Sequence, residues 1–330
     1  MGLQVEDVAF KDIHKPTFFA LCSAYSLVDA VLFHPFSVAS VVAELHRSTT
    51  TQAVPVAGAT RWQKLRASFR ANLTIRQAVD KIVAASTPMQ SPSTSRMRVY
   101  GSALFTGFPI TYGGLFLYDL FQMMPYNYFK SWLREQQSTG HIPKWLPNPV
   151  LAGVLSTLLC TPFVNPPTVI FRQQVQHRCM GQPHSLSYIV GTRLPAMEGG
   201  RIAVLLRGSL VGVVTAVPST ALGWQLYEST RSALEKKFQS QSVLISVAAG
   251  ATAGVVGVTF TRPISVVVSR MQTDSQSHRF WATAKALFKS EGIGAFYKGY
   301  TARILATAPR NGIFFSAYQS IITLAKNKDV

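Results

Sequence analysis

Apolar residues gather along this chain in six long stretches separated by polar, turn-prone segments. They run roughly from Thr17 to Val42, Tyr100 to Met124, Pro149 to Phe171, Ile202 to Tyr227, Val243 to Val268 and Tyr300 to Leu324. Each is long enough to cross a bilayer, which takes roughly 20 residues in a helix. Gly and Pro recur inside them, as membrane helices allow when neighbours satisfy the backbone. The pattern predicts an all-α membrane protein with six transmembrane helices.

Landmarks recur at fixed spacing within the stretches. In the even-numbered ones a proline precedes a tyrosine and a polar residue by nine and ten positions: Pro109 with Tyr118-Asp119, Pro218 with Tyr227-Glu228, Pro309 with Tyr318-Gln319. Glycine-ended turns come before these prolines, "LRG" at Gly208, "YKG" at Gly299 and "VYG" at Gly101. In the odd-numbered stretches Pro263 is followed by Arg270 and Gln272, Pro167 by Arg172 and Gln176, and Pro35 by Glu44. Small residues four apart, Gly250 with Gly254 and Cys22 with Ser26, suit close helix contacts. Pro166 and Pro167 offer two frames, and Gly153 with Thr157 fits only the former. The chain therefore reads as three helix pairs. Residues 1–148 form the first, with an insertion at about 48–95 and an extended loop over 125–148; residues 149–242 and 243–330 form the second and third.

Charge separates by alternate loops. The segments 47–98, 172–207 and 270–303 together hold 20 Lys or Arg against 4 acids, whereas the termini and the other loops hold 10 against 8. This asymmetry follows membrane topology and predicts both termini on the face opposite the basic loops. A nucleic-acid binder would instead carry a basic stripe on a polar fold, and no recognition motif of that kind is present. The N-terminus reads as neither a signal nor a transit peptide. Three scattered cysteines suggest no disulfide framework or metal site, and enzyme motifs are absent.

With these residues in view, the chain resembles the mitochondrial carrier family. The resemblance rests on the "P-x-D/E-x-x-K/R-x-R-x-Q" pattern closing each odd stretch, on Glu291-Gly292 leading to Tyr297-Lys298-Gly299, and on the later Pro with Tyr-Glu-x-x-Arg. It implies six tilted helices in three pseudo-repeats, short amphipathic matrix helices, and a multi-pass place in the mitochondrial inner membrane. It also implies bound cardiolipin at Gly101, Arg207, Gly208, Lys298 and Gly299, where helix-starting N–H groups and bases would meet lipid phosphates. No other cofactor is implied.

The resemblance further assigns a matrix gate to the acid at +2 and the base at +5 after each odd proline. Those positions hold Ser37, Val169 and Ser265, and Ser40, Arg172 and Val268, so the expected ion pairs are missing. The outer gate maps to Tyr118, Asp119 and Gln122, to Tyr227, Glu228 and Arg231, and to Tyr318 and Gln319. Either Asp119 bridges to Arg231, or Glu228 and Arg231 form a surface pair. Substrate contacts map to Thr106 and Gly107, Thr215 and Ala216, and Ala306 and Thr307, none of them cationic. Arg310 reads foremost as a helix-packing arginine and alternatively as an anion ligand. Asp29 is an intramembrane acid that would pair with Arg262 or a hydroxyl. Residues 62–83 place Trp62, Leu65, Phe69 and Leu73 on one stripe, fitting a helix on an anionic membrane surface or on a protein partner.

With one gate stripped of pairs, the first expectation is a non-transporting accessory subunit of an inner-membrane assembly, a respiratory complex being one such partner. The alternative is an active carrier for a neutral or weakly charged solute.

Overall fold

The computed structural model describes residues 14–45, 74–86, 95–141, 143, 148–239, 243–274 and 279–325. Regular structure among the described residues is helical throughout. In chain order the helices of six or more residues are α1 (Lys15–Leu45), α2 (Ile75–Ser86), α3 (Arg96–Leu104), α4 (Phe108–Ser138) and α5 (Asn148–Cys179). There follow α6 (Gly200–Leu205), α7 (Ser209–Phe238), α8 (Val243–Thr273), α9 (Phe280–Glu291) and α10 (Tyr300–Ala325). A helix of 31 residues such as α1 is about 46 Å long, more than the roughly 30 Å of a hydrocarbon core. By length and composition three helical segments qualify as spans among the described residues: Lys15–Leu45, Leu151–Cys179 and Leu244–Thr273.

The six long helices close into a ring, in which α1 packs on α4, α4 on α5, α5 on α7, α7 on α8, α8 on α10, and α10 on α1. The odd members of the three pairs, α1, α5 and α8, also touch one another across the ring. Each of the three has proline in its interior, Pro35 in α1, Pro162, Pro166 and Pro167 in α5, and Pro263 in α8. A proline there removes an intrahelical bond and bends the axis.

Two even helices begin later than hydropathy suggested. The second apolar stretch is divided between α3 and α4 at Gly107, and the fourth between α6 and α7 at Gly208. Gly107, Gly208 and Gly299 all have φ between +65° and +81°, and each stands immediately before an even helix. That left-handed conformation costs glycine nothing and other residues a clash. The three glycines are therefore equivalent, and they set the register of the repeats. Gly101, paired with Gly208 and Gly299 in the sequence reading, lies inside α3 instead.

The expected loop over 125–148 is largely helix as well, since α4 continues through Pro125 to Ser138. Of the amphipathic segment 62–83, residues up to 73 lie outside the described residues. The remainder falls in α2, which buries Ala78 and Ile82 in a cluster with Val38, Val42 and Val175. That part packs on protein.

The glycine spacing in α8 works as read. A Cβ on Gly250 or Gly254 would meet the α10 backbone at Asn311, Gly312 or Ala308 within 3.1 Å, so α8 and α10 touch through main chain. Gly312 answers from the other side, 2.6 Å from the Val247 carbonyl oxygen for an added Cβ. Gly312→Val should lower the melting temperature of the purified protein, overpacking of this kind costing about 1–3 kcal/mol. Gly113→Ala, where an added Cβ meets nothing within 4 Å, should leave it unchanged in the same thermal scan.

Candidate functional site

The residue before each odd-helix proline reaches the turn that starts the next even helix. His34 Nε2 lies 2.9 Å from the Thr106 carbonyl oxygen, so that nitrogen carries the proton. Asn165 Nδ2 donates to the carbonyls of Leu205 at 2.6 Å and Arg207 at 3.4 Å. Arg262 Nη2 donates to the Lys298 carbonyl. Thr106, Arg207 and Lys298 each precede one of the left-handed glycines, so the three contacts are one motif repeated. The motif settles the frame of the second repeat: Pro166 is equivalent to Pro35 and Pro263. The residue at +2 there is Thr168 rather than Val169, and Val169 points away into an apolar cluster with Ile189 and Val204.

A second motif joins neighbouring repeats. Glu44, nine residues after Pro35, receives Arg262 Nη1 at 2.6 Å and the Ser40 hydroxyl at 3.1 Å. Gln272, nine after Pro263, donates to Asn165 Oδ1 at 3.1 Å and to the Arg207 carbonyl at 3.0 Å. In both, the +9 residue of one repeat holds the residue before the proline of another. The third such position is Val175, which is apolar and wholly buried; there Arg178, one turn on, joins the second repeat to the first by other partners. Its guanidinium bonds the Ser86 hydroxyl at 2.8 Å and the Ser102 carbonyl at 2.7 Å. Arg172 is not isolated either, since it donates to Gln272 Oε1. The closing layer expected to be bare is thus filled, its charges coming from positions other than +2 and +5, with Ser40 of +5 adding its hydroxyl. Glu44 and Arg262 are 2% and 1% exposed, and a buried charge pair holds only when both partners are present.

Above this layer the ring encloses a cavity of about 540 Å³. Ser37, Thr168 and Ser265, the three +2 residues in the corrected frame, all line it. Each donates its hydroxyl to its own helix, to the carbonyls of Phe33, Val164 and Arg262. On the even helices the wall runs from Thr111 and Arg303 up to Tyr126. That is 15 residues along α4, about 22 Å.

Among the described residues four arginines reach this wall, Arg172, Arg262, Arg303 and Arg310, against one acid, Glu44. The three mapped contact positions hold no cation, and Arg310 was the one nearby alternative as an anion ligand. Arg310 is not packed on backbone; it lies 3.0 Å from Asp29 Oδ1 and faces the cavity. Arg262 is held by Glu44. Arg172 and Arg303 therefore stand in excess of the acids, and Arg303 is exposed while lining the cavity.

Of the expected contacts, Thr307 and Arg310 line the cavity. Ala306 is buried off the wall, and the side chains of Thr215 and Ala216 lie outside the described residues. Thr106 is buried with its hydroxyl on the Ala103 carbonyl, and Gly107 packs on Phe171 and Gln174. Counted from the glycines, the equivalents of Ala216 and Thr307 are eight residues on, at Leu115, which does line the cavity. Pro109 follows its glycine by two residues and Pro218 and Pro309 by ten, so the first proline match was a coincidence of spacing. The same count makes Tyr126 the partner of Tyr227 and Tyr318.

The outer gate changes accordingly. Asp119 does not bridge to Arg231; its Oδ2 lies 2.6 Å from the Ser26 hydroxyl oxygen. Arg231 pairs with Glu235 at 2.8 Å and donates to the Tyr227 hydroxyl at 3.4 Å. Tyr118 and Gln122 line the cavity. The side chains of Glu228, Tyr318 and Gln319 lie outside the described residues.

The bases assigned to lipid face inward. Arg207 donates to the carbonyls of Glu198, Met271 and Asp274. Lys298 is 1% exposed and bonds Glu291, which also takes Arg270 at 3.3 Å. Burial pushes the Lys298 ammonium below the ordinary lysine range, with Glu291 opposing. Val268 packs on Gly208, and Gln176 takes no part in the closing layer.

The family model for "Mitochondrial carrier protein" matches residues 239–329. The chain is 32% identical over 137 residues to the mitochondrial adenyl nucleotide antiporter SLC25A24 of Mus musculus, a match that covers 41% of this chain and 29% of the relative. It is 29% identical over 147 residues to the calcium-binding mitochondrial carrier protein SCaMC-2-A of Danio rerio, covering 44% and 31%. A further relative, the uncharacterized mitochondrial carrier C19G12.05 of Schizosaccharomyces pombe, is 27% identical over 198 residues, covering 57% and 66%. The match thus spans less than a third of the length of the first two relatives. With three helix pairs closed into one ring around a cavity, and the third repeat matched almost end to end, the chain is similar to the mitochondrial carrier proteins.

Proposed function

We propose that this chain is a working solute carrier of the mitochondrial inner membrane and that its solute is an anion bearing phosphate. The carrying observation is the pair of arginines, Arg172 and Arg303, that line the cavity beyond what its acids neutralise. Two guanidinium groups facing one cavity without matching acids attract an anion, and a phosphate oxygen meets them with charge-assisted bonds. The cavity volume of about 540 Å³ suits a small organic ligand. Tyr118 and Phe314 on the same wall offer faces for a ring. The adenyl nucleotide antiporters among the relatives support an adenine nucleotide as the first solute to try.

The reading as an accessory subunit rested on absent gate pairs, and Glu44 with Arg262 supplies such a pair. Both lie at the convergence of α1 and α8, where breaking and remaking their contact would let the cavity change sides. Alternating access asks for this, two states close in free energy with a gate that forms in one.

In liposomes, the purified protein should exchange external for internal ADP well above protein-free controls, and Arg303→Gln should lower the rate about tenfold, the effect of losing one charge-assisted bond. No exchange, or an unchanged rate in the variant, would remove this reading. Glu44→Gln should lower the melting temperature, because Arg262 is left buried and unpaired at a cost of about 3 kcal/mol. Exchanging the two residues, Glu44→Arg with Arg262→Glu, should recover part of that loss in the same thermal assay.

A further inference from the structure

Beside the cavity, three helices bring two carboxyls toward one guanidinium. Asp29 on α1 holds Arg310 of α10 at 3.0 Å. Asp119 on α4 is 0% exposed, within electrostatic reach of both. The groups that face Asp119 are Cys22, Ser26 and Asp29 of α1, Tyr25 by way of the same cluster, Tyr118 of its own helix, Cys160 of α5 and Arg310 of α10. Arg310 is the one cation among them, and Asp29 already occupies it.

The hydrogen count around Ser26 points to the state of Asp119. Ser26 Oγ lies 2.6 Å from Asp119 Oδ2 and 2.8 Å from the Cys22 carbonyl oxygen. A hydroxyl has one hydrogen to give. When that hydrogen bonds the carbonyl, the contact to Asp119 needs a hydrogen from the carboxyl. A protonated Asp119 makes both contacts bonds. As an anion it would be a buried charge, with Oδ1 lacking a partner among the described residues, a costly arrangement.

We propose that Asp119 is a proton-binding site that controls anion binding in the cavity through Arg310. With Asp119 neutral and donating to Ser26, Arg310 faces one carboxylate and keeps attraction for an arriving anion. With Asp119 ionised, two carboxylates compete for the same guanidinium and the anion is held less well. Proton and anion therefore favour each other's binding, and the effect is reciprocal. No covalent bond changes; a proton passes between water and the carboxyl.

The proton site stands apart from the transport reading, whereas its coupling to flux rests on it, and two measurements separate them. Infrared spectra of the purified protein at neutral pH should show a carboxylic-acid carbonyl band that disappears in Asp119→Asn and shifts in Ser26→Ala. Absence of any such difference overturns the site. In ADP exchange by liposomes, the wild-type rate should fall about tenfold as pH rises, while Asp119→Asn, locked in the neutral form, should hold the higher rate throughout. Equal pH profiles for the two proteins overturn the coupling. Should wild type exchange no ADP at any pH, the infrared result still decides the site and the failure falls on the transport reading. Should Asp119→Asn not fold, Ser26→Ala, which removes the acceptor of the proposed bond, must show both the shifted band and an altered pH profile, and a wild-type profile there overturns the proposal.

Discussion

The contact between Arg262 and Glu44 is the constraint on which the rest of this structure turns. One guanidinium binds the α1 carboxylate, the Ser40 hydroxyl and the carbonyl of Lys298. It thereby joins the first repeat to the third and fixes the turn from which α10 starts. Gly299 is forced by the same contact, because a Cβ there would stand 2.6 Å from Arg262 and 2.7 Å from the Ser40 carbonyl oxygen. Convergence of the odd helices at this layer is what leaves room for a cavity above it. Glu44 and Arg262 hold this end together although the +2 positions carry no acid. The charges stand at other positions of the same helices, and the +2 positions place three hydroxyls on the cavity wall.

Much of the architecture was legible in the sequence because membrane helices leave strong marks. Hydropathy located all six long helices, α10 nearly to the residue and α8 at its start, and the small residues at Gly250 and Gly254 marked a main-chain contact between helices. The frame of the repeats was harder. Proline spacing matched Pro109 to Pro218 and Pro309, yet proline in a helix interior sits wherever a kink is tolerated. The left-handed glycines are the stricter marker, since few residues replace them at that backbone angle. Counting from Gly107, Gly208 and Gly299 aligns Tyr126, Tyr227 and Tyr318 at one spacing of 19, a signal present in the sequence and overlooked. The frame at Pro166 was likewise available from Gly153 and Thr157.

The site was legible only in part, because its charges pair across repeats. Glu44 was visible at +9, but its partner lies 218 residues away at a position no spacing rule connects to it. Arg303 was passed over because the frame had been taken from the prolines and not from the turns. His34 and Asn165 carry no motif at all. Their shared role emerges only once the three turns are superposed in thought, since an imidazole, an amide and a guanidinium do the same work with different chemistry. Asp29 and Arg310 illustrate the reverse: each was marked as an unusual charge within a membrane segment, and they pair with each other.

The central claim is that the Arg262 and Glu44 contact is a gate that opens and closes, in place of a permanent structural clamp. Its most direct test is the distance between spin labels at the converging ends of α1 and α8, measured in liposomes with and without saturating ADP. A gate predicts a second, longer distance whose population grows with ADP and dominates in Arg262→Gln. A single distance, unmoved by solute and by the substitution, would contradict the account.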